Sequence, residues 1–205
     1  MKILIISPFF YPHTGGSQQY MEELHVNLLQ QHPDYQIDII AYNTDKAPEF
    51  EDYRGMRIYR LPCIQMLPGQ FAIPNYFKLW KLIRNLHQIN HYDFINANTR
   101  FFDSAWWTPW IGRTLGIKTI LTDHCADYPT HKNGLVTLVA KAIDKYLVPL
   151  FIRHFDLIVA TNQSTRLFLQ KMGMENIHVV YGGVDTDIFK PLSFIKKRSI
   201  ESIAT

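Results

Sequence analysis

The sequence predicts an α/β domain: a Rossmann-like, doubly wound, mostly parallel sheet with helices on both faces. Three observations carry this. The chain has 205 residues and is 47% apolar, enough for one well-buried domain and too little for two full-sized ones. Short β-branched runs alternate with longer stretches of helical period. The runs are continuously apolar rather than alternating, which is the pattern of parallel strands covered on both faces.

The elements follow in order. Ile3–Ile6 opens the sheet. A helix runs from Ser17 to about Gln31, with Met21, Leu24 and Leu28 on one face. Strands follow at Ile37–Tyr42 and Met56–Leu61, then a helix at Asn75–Gln88. Phe94–Asn96, a helix at Ser104–Leu115, and Thr119–Thr122 come next. The remainder reads as a helix at Leu135–Phe155, a strand at Leu157–Ala160, a helix at Ser164–Met172 and a strand at His178–Tyr181. There is no repeat period, which excludes a solenoid. Residues 1–191 form the domain. Residues 192–205, with Lys196, Lys197 and Arg198, read as a linker or tail.

Composition narrows the function classes. Charged residues are 19% and the net charge is +3, too little for a dedicated nucleic-acid binder. The two cysteines, Cys63 and Cys125, give neither a disulfide framework nor a cysteine-based zinc site, so a reducing cytoplasm is expected. The opening MKILIISPFF lacks the length and cleavage site of a signal peptide, and no apolar run is long enough to span a membrane.

Doubly wound sheets bind ligands at the C-terminal ends of their strands, so chemistry is sought there. After the first strand, Gly15 and Gly16 precede Ser17, a plausible N-cap. Such a pair fits either a phosphate held on backbone N–H groups at a helix N-terminus or a plain turn. Neither the dinucleotide fingerprint nor the P-loop spacing is present, which disfavours a dehydrogenase or an NTPase. After Thr119–Thr122 stands His124, placed to hydrogen-bond a sugar hydroxyl or move a proton, or to cap a turn. Asp123, His124, Asp127 and His131 match no common metal-ligand spacing, so no metal is expected. Strand alternation predicts Cys125 packed away from His124. Asn162 and its neighbours Thr161 and Ser164 fit a helix cap. Gly182 and Gly183 permit a tight turn, and Asp185 can bond its own loop. Two basic amphipathic stretches, Phe71–Leu86 and Lys141–Arg153, fit core-facing helices or a membrane surface. The residues favour the core, and Phe71–Arg84 carries the membrane expectation.

The order strand–PxxGG–helix, ANTRFFDSA, LTDHCADY, VATNQSTRLFLQKMG and VVYGGVDTDIFKP resembles the N-terminal, acceptor-side domain of family 4 retaining glycosyltransferases, one half of a GT-B fold. The resemblance runs from Met1 to Pro191. It implies a catalytic role for His124 at the transferred sugar. It implies substrate contacts for Gly15 and Gly16 and for Asn162, Gly182 and Gly183. Arg100 would bind an acidic acceptor group, and Asp127 would join the substrate-binding set. The chain departs from the pattern at Asn96 and Asn98, where many members have histidine, and at Gly182, where many have asparagine. The implied reaction moves a hexose from a UDP- or GDP-sugar to a glycan or lipid-linked acceptor at the inner face of the cell membrane, with no further cofactor. The family holds the donor mainly on a C-terminal domain. That domain does not follow Pro191, so this chain alone is expected to be inactive. The alternative is a non-catalytic module that binds a glycan or a lipid-linked phosphate.

Overall fold

The computed structural model describes residues 1–67 and 69–183. Its centre is β1 (Lys2–Ile6), paired in parallel on one side with β2 (Gln36–Tyr42) and on the other with β7 (Phe94–Asn98). Beyond β7 lie β8 (Lys118–Asp123), β9 (Leu157–Ala160) and β10 (Ile177–Val179), all parallel. Beyond β2 lie parallel β4 (Met56–Leu61) and antiparallel β3 (Phe50–Tyr53). The eight-strand order is therefore β10-β9-β8-β7-β1-β2-β4-β3. The predicted doubly wound fold is the observed one.

β1 is apolar from Ile3 to Ile6 because both its faces are covered, and β2 breaks the pattern only at buried Asp38, which accepts from Arg57. Ile3 and Ile5 pack beneath helix α1 (Gly16–Gln31), in a cluster with Met21, Val26 and Ile39. Leu4 and Ile6 face the other way, against α2 (Tyr76–Asn90) and α3 (Asp103–Leu115). That second layer continues through α4 (Gly134–Ala142), a π turn (Ile143–Leu147) and α5 (Val148–Ile152), and then α6 (Gln163–Lys171). The predicted helix at Leu135–Phe155 is thus one helical segment interrupted by a π turn. Pro149 gives the reason. It has no N–H to donate and its ring crowds the carbonyl four residues back, so the preceding turn widens.

Three further strands escaped the sequence pattern. β3 and β4 form a hairpin whose two turn residues, Arg54 and Gly55, both have positive φ (51° and 85°), which suits a primed turn. β5 (Cys63–Leu67) and β6 (Phe71–Pro74) form a separate two-stranded ribbon. This ribbon corrects the reading of Phe71–Leu86 as one amphipathic stretch. Phe71–Pro74 is a strand, Asn75 caps the helix by accepting from the Lys78 N–H (3.1 Å), and Leu79, Ile83 and Leu86 enter the core. The last strand begins at Ile177 rather than His178. Asp185, the domain limit at Pro191 and the tail at 192–205 lie outside the described residues.

Candidate functional site

The direction of winding reverses at β1: the chain steps outward to β2 on one side, and later from β7 to β10 on the other. This switch point opens a crevice at the C-terminal strand ends. Four of the predicted site positions meet along that edge.

Gly15 is the N-cap of α1 and is exposed. No side chain caps the helix, and its first turn holds no acidic residue. Ser17 is not the cap; its hydroxyl donates to Gln18 Oε1 (3.1 Å). The first-turn N–H groups therefore lack a side-chain acceptor, and the helix dipole adds partial positive charge there. A Cβ built on Gly16 meets nothing within 4 Å, so the backbone is open to an approaching ligand.

Tyr20, one turn into α1, gathers the other elements. Its ring stands edge-on to His124, with centroids 4.9 Å apart and planes at 75°. A Cβ built on Gly182 would lie 3.1 Å from the same ring, so only glycine passes there without displacing it. Burial raises the Tyr20 phenol above its ordinary pKa. Tyr20 is a site residue that the sequence pattern does not single out; its sole signal is a position four residues after Gly16.

His124 follows the last residue of β8. It is part-buried, and its Nε2 is enclosed with no hydrogen-bond partner among the described residues. Burial lowers its pKa, with Asp123 opposing, so the neutral imidazole prevails at neutral pH. An enclosed, unpaired ring nitrogen is costly unless a ligand completes it.

Arg100 is placed differently from the expectation. It is 1% exposed, and all five of its N–H groups are engaged. Nη1 donates to Asp123 Oδ2 (2.6 Å) and to the Cys125 carbonyl (2.7 Å). Nη2 donates to the Asp127 carbonyl (2.8 Å) and Asp144 Oδ2 (3.0 Å), and Nε to Asp144 Oδ1 (3.2 Å). Nothing is left to bind an acceptor in this arrangement. Arg100 instead stitches the loop bearing His124 to the π turn that carries Asp144. The preceding Thr99 has φ 65°, an unfavourable conformation for a β-branched residue, and this turn sends Arg100 inward.

The remaining positions divide. The Asp127 carboxylate is exposed at the crevice edge and accepts from the Tyr128 N–H (2.7 Å). Asn162 caps α6 by accepting from the Thr165 N–H (2.8 Å), so its oxygen is already used. Gly183 is exposed, with open space beside it. Cys125 is exposed rather than packed away, because strand alternation ends with β8 at Asp123. Asn98 is buried under α1, where its amide donates to Met21 Sδ (3.1 Å) and Asn96 Oδ1 (3.2 Å). A further polar centre lies at the N-terminus of α3. Buried Asp103 accepts from the hydroxyls of Tyr42 (2.9 Å) and Tyr76 (3.0 Å), and burial pushes its pKa up to about 6 despite those bonds. Among the described residues no His, Cys, Asp or Glu cluster suits a metal ion. Two open concavities sit at the opposite edge, around Gly116–Lys118 and Met174–Asn176, away from His124.

Comparisons with known proteins agree with this architecture. An uncharacterized glycosyltransferase of Methanocaldococcus jannaschii is 25% identical over 96% of this chain and 51% of its own length. A human protein, one of the subunits of phosphatidylinositol N-acetylglucosaminyltransferase, is 22% identical over 97% of this chain and 40% of its own. The chain thus spans about half the length, or less, of these relatives. In structure it is similar to sucrose-phosphate synthase from Thermosynechococcus elongatus, with a TM-score of 0.62 at 17% identity, over 97% of this chain and 52% of the other. It also matches an anthocyanidin 3-O-glucosyltransferase, with a TM-score of 0.53 at 10% identity, over 93% of this chain and 55% of that one. These likenesses fix the fold as one half of a GT-B architecture. The profile of Glycosyltransferase Family 4 matches residues 14–188, and the chain belongs to that family as an N-terminal domain.

Proposed function

We propose that the chain supplies the acceptor-side wall of a transferase that moves a hexose from a UDP- or GDP-sugar to a glycan or lipid-linked acceptor. One observation carries the reading: the uncapped N-terminus of α1, the Tyr20 ring and the unpaired His124 Nε2 converge at one crevice. The neutral imidazole would hydrogen-bond a hydroxyl of the transferred sugar. The first-turn amides of α1 would hold an anionic oxygen, a phosphate above all. Retention of anomeric configuration is carried over from the family resemblance.

This wall is open to solvent. Transfer needs donor and acceptor held together, water excluded and the leaving diphosphate stabilised. A few backbone amides on an open surface give modest affinity. The 205-residue chain by itself should therefore show no transfer above background.

The test is a transfer assay on a protein carrying this domain fused to its donor-binding half, screened against UDP- and GDP-sugars, with the product anomer read by NMR. His124→Ala should lower kcat by roughly 100-fold, the low end for losing one hydrogen bond that stabilises the transition state, while the melting curve changes little. Undiminished kcat in that variant, or tight sugar binding without turnover by the wild type, would overturn the catalytic reading.

A further inference from the structure

The second helical layer is unusually apolar on its outside. α4 buries none of its nine residues, although six of them are Leu, Val or Ala. Leu135, Leu138 and Val139 are 69%, 66% and 51% exposed, and Tyr146 and Leu150 continue the stripe at 64% and 48%. The opposite side of the segment is fully buried through Asp144, Val148 and Ile152. Spacings of three and four place each set on its own face.

Charge identifies what covers the stripe. Along Tyr76–Arg153 the exposed charges borne by the helices are all cationic: Lys78, Lys81 and Arg84 on α2, Arg113 on α3, and Lys141 and Lys145 beside the stripe. The acidic residues in these helical segments, Asp103 and Asp144, are both buried, and Asp144 is neutralised by Arg100. Exposed acids lie off these helices, among them Glu23 on α1, Asp52 on β3, and Asp93, Asp127 and Asp156 in the loops at the strand ends. Trp107 and Trp110 lie exposed on α3, against Tyr76 and Trp80 of α2. Protein interfaces deplete lysine at their core. Apolar residues flanked by lysine, with tryptophan and tyrosine alongside, fit the boundary of a negatively charged bilayer.

We infer that this outer helical face docks on an anionic lipid bilayer, with α4 and α5 lying in the plane of the interface. The inference differs from the expectation placed on Phe71–Arg84, where Leu79 and Ile83 of α2 are core and Phe77 stays exposed. No helix among the described residues is long and apolar enough to cross a membrane. The face is tied to the crevice, because Asp144 and the Cys125 and Asp127 carbonyls share Arg100. Docking would therefore hold the His124 loop beside the lipid surface, where a lipid-linked acceptor is presented.

The 205-residue chain is tested by co-sedimentation with vesicles of phosphatidylcholine alone and of phosphatidylcholine with phosphatidylglycerol, without any sugar nucleotide. A failure here leaves the transfer assay untouched. The chain should sediment with the anionic vesicles, not the neutral ones, and raised salt should release it. Lys141→Gln with Lys145→Gln should lower partitioning by roughly 30-fold, from about fivefold per cation. Leu138→Glu should lower it by roughly tenfold or more through lost apolar insertion. A control pair with the same charge change, Lys2→Gln with Lys46→Gln, should leave it unchanged, and circular dichroism should report native helix in every variant. The proposal is overturned by absent sedimentation, by equal binding to neutral vesicles, or by equal loss in the control pair. It is also overturned if light scattering shows a dimer that Leu138→Glu dissolves, for then the face joins two copies of the chain.

Discussion

Arg100 offers the sharpest test of the packing, through Arg100→Met. The methionine fills part of the volume but leaves Asp123 and Asp144, each 0% exposed, without a counter-charge, and three further contacts vanish with the guanidinium: two loop carbonyls and the face of Phe168, 4.6 Å away. Removing one partner from a buried ion pair costs about 3–5 kcal/mol. A domain of this size holds roughly 5–15 kcal/mol in total. With a urea slope of about 2 kcal/mol per molar, the midpoint should fall by about 2 M, followed by circular dichroism. The sign of the pH dependence is a second readout. Burial already pushes the Asp144 carboxyl above its ordinary range, and Arg100 pulls it back. Without Arg100 that rise is unopposed, so the folded variant takes up protons that the unfolded chain does not. A raised carboxyl pKa gives stability that is lost as pH rises. The cost should thus be smallest near about pH 4 and full near about pH 8. A midpoint within about 0.5 M of wild type, or a cost independent of pH, would refute the account of Arg100 as a buried clamp.

Three further outcomes are expected. Gly16→Val in the two-domain enzyme should lower turnover while leaving stability within about 0.5 kcal/mol, since a Cβ there meets nothing within 4 Å and valine is no worse than glycine in a helix; normal turnover would remove the glycine loop from the site. Asp103→Asn should stabilise the domain above about pH 6. The shift from 3.8 to about 6 corresponds to about 3 kcal/mol, less about 0.5 kcal/mol of lost helix-dipole interaction. The gain should fade below about pH 4, and thermal melts across pH would expose a failure as a variant less stable at high pH. Gly112→Ala should destabilise by about 1–2 kcal/mol, because its Cβ would lie 2.2 Å from Thr119 Cγ2 and 2.7 Å from the Ile117 carbonyl, and overpacking outweighs the helix-propensity gain. A raised denaturation midpoint would contradict it.

How much could be read in advance depended on burial. Ile3–Ile6 and Ile37–Tyr42 announced themselves because strands covered on both faces are apolar at nearly every position, the buried Asp38 being the exception. β3 and β5 did not, because they lie at the periphery, with exposed residues interspersed and no continuous apolar run. Gly15, Gly16 and His124 were legible as strand-end positions in a parallel sheet, and they stand at that edge. Arg100 was legible only as an arginine after a strand. Its carboxylate partners lie 23 and 44 positions away, and the pairing with Asp144 depends on a π turn whose phase shift no period in the sequence states. Tyr20 was invisible for a like reason: only the folded register brings His124 and Gly182 around its ring.

The central place of β1 also sets a timetable for synthesis. One of its edges pairs with β2 soon after the strand is made, but the other waits for β7, whose partner residues lie 91 positions downstream. At about 5–20 residues per second, a ribosome takes roughly 5–18 s to deliver them. For that interval the nascent chain carries a strand with one unsatisfied edge and two bare apolar faces, the form most open to pairing with a neighbouring copy.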